Sequence, residues 1–491
     1  MDSDAFREAA KAVIDDMATY HDTVSSRPVI SSVSPGYLRR LLPSSPPEEP
    51  ERFSSIRDDV ASKIMPGISH WQSPNFMAFF PCSSSFPGTL AELYSAMFNG
   101  AHFNWICSPA VTELETIMLD WLAEAMGLPS VFRSDGETRG GGVIQGSASE
   151  AVLTVMVAAR DKFLSEKLQG LEGEEREERE WDIRSRLVAV ASETSHSCTK
   201  KAARILGVRF ATVPIERATD FTLTAANLDA KLAELRAKGL LPFYLTATFG
   251  TTDTCAVDDF AGVASLPSAS DLWIHMDGAY AGAALLCPEH RSLSQETLSR
   301  LNSIDFNPHK WLLTNFDCSA LWVRNRAWLV DALSINPAFL RNDFSESGLV
   351  TDYRDWQIPL GRRFRSLKLW FVMRTYGLSG LRAHLRGGIR RAEGLAEMIR
   401  GRADLFEIVA GPRFGLVVIR VADADGERAN ALTKKLSDKV FEDGEIWLTP
   451  SHVGGLHTLR ICVSGPQVQE EHVRKAFEII VRCAEAVRKE A

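Results

Sequence analysis

The chain has 491 residues, 45% of them hydrophobic, which is enough for two or three domains around a large core. A formal net charge of −8 argues against nucleic acid or an anionic membrane surface as a partner. No apolar run reaches membrane-spanning length, and the 8 cysteines are scattered without CxxC pairs or metal-ligand spacing. The expectation is a cytoplasmic protein with reduced thiols and no metal.

Residues 1–22, MDSDAFREAAKAVIDDMATYHD, carry the pattern of an acidic amphipathic helix. They lack the basic start and apolar centre of a signal peptide. Up to about residue 85, helical patterns are broken by Pro43, Pro46, Pro47, Pro50, Pro66 and Pro74. A stretch so interrupted and so aromatic buries itself poorly alone, so 1–85 is expected to wrap a second copy of the chain.

From 86 to 375, strand patterns at 187–191, 243–247, 273–276 and 319–323 alternate with helical ones. That alternation predicts an α/β fold with a mostly parallel sheet and ligands at its strand ends. The charge-dense stretch 165–186 reads as a solvated helix or insertion. A smaller α/β domain is expected over 376–491, with strands at 414–420 and 459–463 and an amphipathic helix at 470–490.

The chemistry-bearing residues also come in chain order. GGGVIQGSASEAV (140–152) is a Gly/Ser loop leading into a helix, with Ser147 and Ser149 at its start. Such a loop can close on a phosphate with first-turn N–H groups and hydroxyls, although a loop of this kind alone is usually a connection. His196 follows the strand at 187–191, and Thr248 follows that at 243–247. Asp277 ends the buried strand WIHM and precedes small residues; alone, it would more often be a cap or turn residue.

NPHKWLLTNFDCSALWV (307–323) changes the weighting. Lys310 follows His309 and interrupts a largely apolar segment, where an unpaired ammonium is costly. An imine to an aldehyde cofactor accounts for that placement, since it removes the charge and gives the lysine a covalent role. Pyridoxal phosphate (PLP) makes three further demands. Its pyridine nitrogen calls for a buried carboxylate, supplied by Asp277. Its phosphate calls for the loop at Ser147, and its flat ring for a partner such as His196. Thr248 can hydrogen-bond cofactor or substrate. The order of loop, Asp277 and Lys310, and their spacing, suit a large α/β domain.

SPGYLRRLLP (34–43), MPGISHWQSPNFMAFFP (65–81), NWICSPAVTELETIMLDWL (104–122), NPHKW and DWQIPLGRRFRSLKLW (355–370) resemble the aromatic-L-amino-acid decarboxylases over nearly the whole chain. The resemblance implies PLP fold type I, with a helical dimerisation segment (1–85), a large PLP-binding domain (86–375) and a small C-terminal domain (376–491). It implies that Lys310 holds the cofactor and Asp277 pairs with its pyridinium. His196 would stack on the ring, with Ser147, Ala148, Ser149 and Asn307 around the phosphate. Thr248, Ala279 and His309 would complete the cofactor shell. Trp71, Phe79, Phe80, Pro81 and Cys82 resemble the substrate wall, with Phe103 reaching in from the partner of a homodimer. The substrate would be a small aromatic amino acid.

One departure matters. The family's decarboxylases carry a tyrosine on a mobile loop, which protonates the carbanion left when carbon dioxide departs. The matching stretch here, INPAFLRNDFSESG (335–348), has Phe339. Losing a positioned acid typically slows protonation by about 10²–10⁴-fold. A longer-lived carbanion reacts with dioxygen as co-substrate, and hydrolysis then gives an aromatic acetaldehyde, ammonia and hydrogen peroxide. Family members with phenylalanine there resemble aldehyde synthases. Gly361 resembles the indole-accepting pattern, although a turn glycine explains it nearly as well.

Simple decarboxylation to an amine is the main competing reading. Transamination would use an arginine such as Arg460 to grip the carboxylate, favouring the ground state that a decarboxylase must leave. A catalytically silent binding protein sits badly with the presence of Lys310, Asp277, His196 and the Ser147 loop.

Overall fold

The computed structural model describes residues 1–335, 343–346 and 350–490. Seven strands build the larger sheet: β1 (Gly141–Gln145), β2 (Leu187–Ser192), β3 (Arg209–Val213), β4 (Leu241–Thr248), β5 (Trp273–Asp277), β6 (Ser303–Phe306) and β7 (Ser319–Val323). Their spatial order is β1-β7-β6-β5-β4-β2-β3. The strands from β3 to β6 are parallel, whereas β7 runs antiparallel to both β1 and β6. The architecture is α/β with a mostly parallel sheet, as the alternation of elements requires.

Strands β1, β2, β5, β6 and β7 are buried throughout, because helices cover both faces of the sheet. Side chains alternate between those faces. Val143, Ala189, Tyr244 and Trp273 pack with helices Ala148–Lys167 and Ser197–Leu206. Ile144, Val190, Leu245 and Ile274 pack on the other side, with helix Pro109–Met126 and part of Ser366–Arg400. That last helix is non-helical at Gly377 (φ 59°) and leads on to a second sheet.

The second sheet is antiparallel: β8 (Phe406–Arg413), β9 (Leu416–Val421), β10 (Thr449–Val453) and β11 (Leu456–Cys462), in the order β10-β11-β9-β8. The strand expected at 414–420 starts two residues late. Phe414 and Gly415 form the turn of a hairpin whose first strand, β8, the pattern hides behind Gly411 and Pro412. The second expected strand, 459–463, begins earlier, at Leu456. The C-terminal helix Glu470–Lys489 packs its apolar face on this sheet.

Helix Ser3–Thr23 buries none of its residues, and Phe6, Ile14 and Met17 stay exposed on it. The charge-dense stretch forms helix Gly173–Arg186, which buries only Ile183. No described helix is long and apolar enough to cross a membrane.

One ion pair fixes the edge strand that leads into the Ser147 loop. Glu115 and Arg362 are almost fully buried, with Oε1 and NH2 2.6 Å apart. Glu115 Oε1 also accepts from Ile144 N (2.7 Å), and Arg362 donates to Ile144 O (3.1 Å) and lies over the Tyr353 ring. Cutting one partner leaves an uncompensated buried charge, so Glu115→Ala should cost about 3–5 kcal/mol in urea unfolding. The double replacement Glu115→Leu with Arg362→Met should recover most of that loss, since it leaves no orphaned charge.

Candidate active site

Three parallel strands end side by side at the centre of the large sheet. Thr248 on β4 is in register with Asp277 on β5, and Asp277 with Asp305 on β6. Beyond β6 the chain turns through Asn307 into the short helix Pro308–Trp311, which carries His309 and Lys310. Open parallel sheets leave their ligand crevice at this edge.

Neighbouring elements close the crevice. After β1, Ser147 caps helix Ala148–Lys167 by accepting from Glu150 N (3.2 Å), and Glu150 accepts in turn from Gly146 N (2.8 Å). That helix start presents free N–H groups and a positive dipole end to an anion. After β2, His196 Nδ1 accepts from Cys198 N (3.2 Å) and so caps helix Ser197–Leu206.

Together these ends frame a cavity of about 640 Å³. Ser147, Ala148, Ser149 and His196, all expected cofactor contacts, line one side of it, and Thr248, Asp277 and Ala279 line it from the sheet. Asn307, His309 and Lys310 complete that set, and Trp71, Phe79, Phe80, Pro81 and Cys82 form the wall expected for substrate. Phe79 adopts a left-handed backbone (φ 53°), held by Thr449 Oγ1 on its N–H and by Arg460 on its carbonyl.

Phe103 and Gly361 lie elsewhere. Phe103 O accepts from Arg354 N and Ala101 O from Arg362 N, which ties residues 101–103 to the stretch holding Gly361. Neither residue lines the cavity of its own chain, and a Cβ on the exposed Gly361 would meet nothing within 4 Å. Phe339 lies outside the described residues.

Burial dominates the electrostatics. It lowers the Lys310 pKa, against the opposing pull of the Asp277 and Asp305 charges. It also lowers that of His196, and it drives His309 down to about 3 with help from the Lys310 charge. His309 accepts from Cys318 N at Nδ1 (2.9 Å), which suits a neutral ring. Burial raises the Cys82 thiol, so it stays protonated.

Several residues escaped the sequence reading. Tyr280 stacks on Phe80 at 3.9 Å and on Trp311 at 4.9 Å, forming the back of the cavity. An aromatic residue directly after Asp277-Gly-Ala was the available signal. Arg460 does reach the cavity, but it sits 4.9 Å over the Phe80 ring. Cys198 and Phe316 also line it, and neither carried a recognisable pattern.

The site fits PLP. Thr248 Oγ1 and Asn307 Oδ1 are buried without a partner among the described residues, as hydrogen-bonding atoms reserved for a ligand would be. The capped helix start suits the phosphate, Asp277 the ring nitrogen, the neutral His196 ring the pyridine face and Lys310 the aldehyde.

The pyridoxal-dependent decarboxylase conserved domain matches residues 35–422. The chain is 42% identical to the aromatic-L-amino-acid decarboxylase of Cavia porcellus, over 99% of each. It is equally 42% identical to the phenylacetaldehyde synthase of Arabidopsis thaliana, over 98% of this chain and 96% of the relative. Among solved structures, Oryza sativa TDC with PLP and tryptamine superposes with a TM-score of 0.93 at 37% identity, covering 99% of both chains.

His309 gives a pH prediction. Its folded pKa lies below its ordinary value, so the stability it contributes is present above pH 6.5 and is lost as pH falls from 6.5 to about 3. His309→Asn keeps an acceptor for Cys318 N but cannot titrate. Across that window the variant's stability should fall less steeply than wild type, by up to about 1.4 kcal/mol per pH unit, in unfolding measured as a pH series.

Proposed function

The chain belongs to the pyridoxal-dependent decarboxylase family, as a PLP-dependent carboxy-lyase of the aromatic-amino-acid group, and from that premise we propose that it is an aromatic acetaldehyde synthase. In this reading an aromatic L-amino acid, dioxygen and water give the aryl acetaldehyde, carbon dioxide, ammonia and hydrogen peroxide. The observation that carries the reading is Phe339, at the position where the family's amine-forming members hold a tyrosine.

Bound PLP supplies an electron-withdrawing ring and an aldehyde carbon that accepts an amine. The residues supply everything else. Ser147, Ser149 and the helix start would hold the phosphate, and Asp277 would keep a proton on the ring nitrogen. His196, whose pKa burial lowers, would face the ring without adding a cation. Lys310 would hold the cofactor's aldehyde, and burial makes its uncharged amine more accessible near neutral pH.

Trp71, Phe79 and Phe80 take the substrate's aromatic ring. That orients the carboxylate for departure and keeps water away from the reacting carbon. A phenyl group at 339 offers no proton to that carbon. Dioxygen then takes the electron pair instead, and is reduced to peroxide.

We further read the active enzyme as a cytosolic homodimer. The exposed apolar face of helix Ser3–Thr23 and the position of Phe103 and Gly361 outside their own cavity support this, because a second copy can bring both to the site.

The test is product analysis in air with tryptophan, phenylalanine, tyrosine and Dopa given separately. Aldehyde and peroxide are expected in equal amounts, with little amine. Phe339→Tyr should shift products toward amine by at least tenfold, a modest part of the about 10²–10⁴ that a positioned acid is worth. Amine without peroxide from the wild type would overturn the aldehyde reading and leave an ordinary aromatic decarboxylase.

A further inference from the structure

A band of polar side chains crosses the otherwise apolar interior of the large sheet. Cross-strand register places Thr246, His275 and Ser303 in one row, and Thr248, Asp277 and Asp305 in the next. All six are buried, and His275, Ser303 and Asp305 have no exposed surface. Buried polar groups at alternate positions on three adjacent strands are costly unless bonded to one another.

Three of the six, Ser303, His275 and Asp305, join Trp273 in a single chain. Trp273 Nε1 lies 2.7 Å from Ser303 Oγ, and an indole only donates. Ser303 Oγ lies 2.8 Å from His275 Nδ1, and it donates to that nitrogen in the tautomer that carries the ring proton on Nε2. In that tautomer His275 donates its Nε2 proton to Asp305 Oδ1 at 3.1 Å. Asp305 Oδ2 is buried with no partner among the described residues.

Asp305 thus has one acceptor bond, no exposure and an in-register carboxyl neighbour, Asp277. Two adjacent carboxylates in such a place do not both ionise cheaply. Other nearby groups, Tyr244 and Cys198, are held protonated by burial, and the Lys310 charge acts on Asp305.

We propose that Asp305 is a positioning residue for decarboxylation, holding a proton beside Asp277 so that the negative charge of the pair stays on Asp277. The Trp273–Ser303–His275 chain orients it, and its neutral carboxyl group solvates the Asp277 charge where water cannot reach. Burial and the Asp277 charge also push the Asp305 pKa upward, the direction a retained proton requires. The inference rests on Asp277 pairing with the ring nitrogen of the cofactor.

The test uses purified enzyme saturated with PLP, reading the visible absorption of the bound cofactor together with kcat and KM. Asp305→Leu should shift the visible band and lower kcat about tenfold with KM unchanged. Asp305→Asn, polar but never charged, should restore both. His275→Leu should reproduce the Asp305→Leu spectrum, and His275→Gln, which still donates, should not. These two variants carry the test if Asp305→Leu fails to fold. If Asp305→Asn is as impaired as Asp305→Leu, Asp305 works as an anion and the proposal falls. An unchanged band and kcat in the leucine variants would make the chain purely structural, which also overturns it. Asp277→Asn is measured alongside: if it leaves band and kcat intact, the reading of Asp277 fails, whatever Asp305 does.

Discussion

A lysine ammonium buried where three parallel strands end is the constraint to which the rest of the structure answers. Removing such a charge from water costs several kcal/mol, so the site must offset it. Asp277 and Asp305 oppose the shift, and the Phe80 ring lies 5.6 Å from Nζ. Both acids depend on strand register, because a slip of one residue would turn them to the opposite face. The apolar packing on each face and the Glu115–Arg362 clamp on β1 therefore serve the chemistry as well as stability. PLP bound there would turn the ammonium into an imine nitrogen, and the same surroundings would cradle the ring.

Much of this was legible in the sequence because strand-end residues announce themselves locally. Asp277 follows a short apolar run, Lys310 interrupts one, and Ser147 opens a helix after glycines. The family blocks then placed the aromatic wall, and all five residues from Trp71 and Phe79–Cys82 do line the cavity. What stayed hidden depends on contacts between distant segments. Tyr280 matters through its stack on Phe80, some two hundred residues earlier, and no local pattern encodes that. The His275–Asp305 chain is spread over two strands, and only register joins it. In hindsight, polar residues at alternate positions in WIHMD and SIDF were a signal, because strands buried on both faces ordinarily lack them. The β8–β9 hairpin was missed for a simpler reason: Gly411 and Pro412 look like an interruption when they stand inside a strand.

The fold and the cavity are common ground for two chemistries. Identity is the same, 42%, to a decarboxylase and to an aldehyde synthase, so overall likeness does not separate them. The neutral histidines, the capped phosphate site and the buried acids serve loss of carbon dioxide in either case. In the reading proposed above, what differs is the source of the next proton, which a phenylalanine at 339 cannot supply. Fold alone does not choose between the two outcomes.

The most direct measurement is to reduce the PLP-loaded enzyme with borohydride, digest it and locate the modified peptide by mass spectrometry. The account predicts a single pyridoxyl group on Lys310, with Lys310→Ala taking up no label and lacking the visible band. Label on another lysine, or an unlabelled enzyme that still releases carbon dioxide, would contradict it.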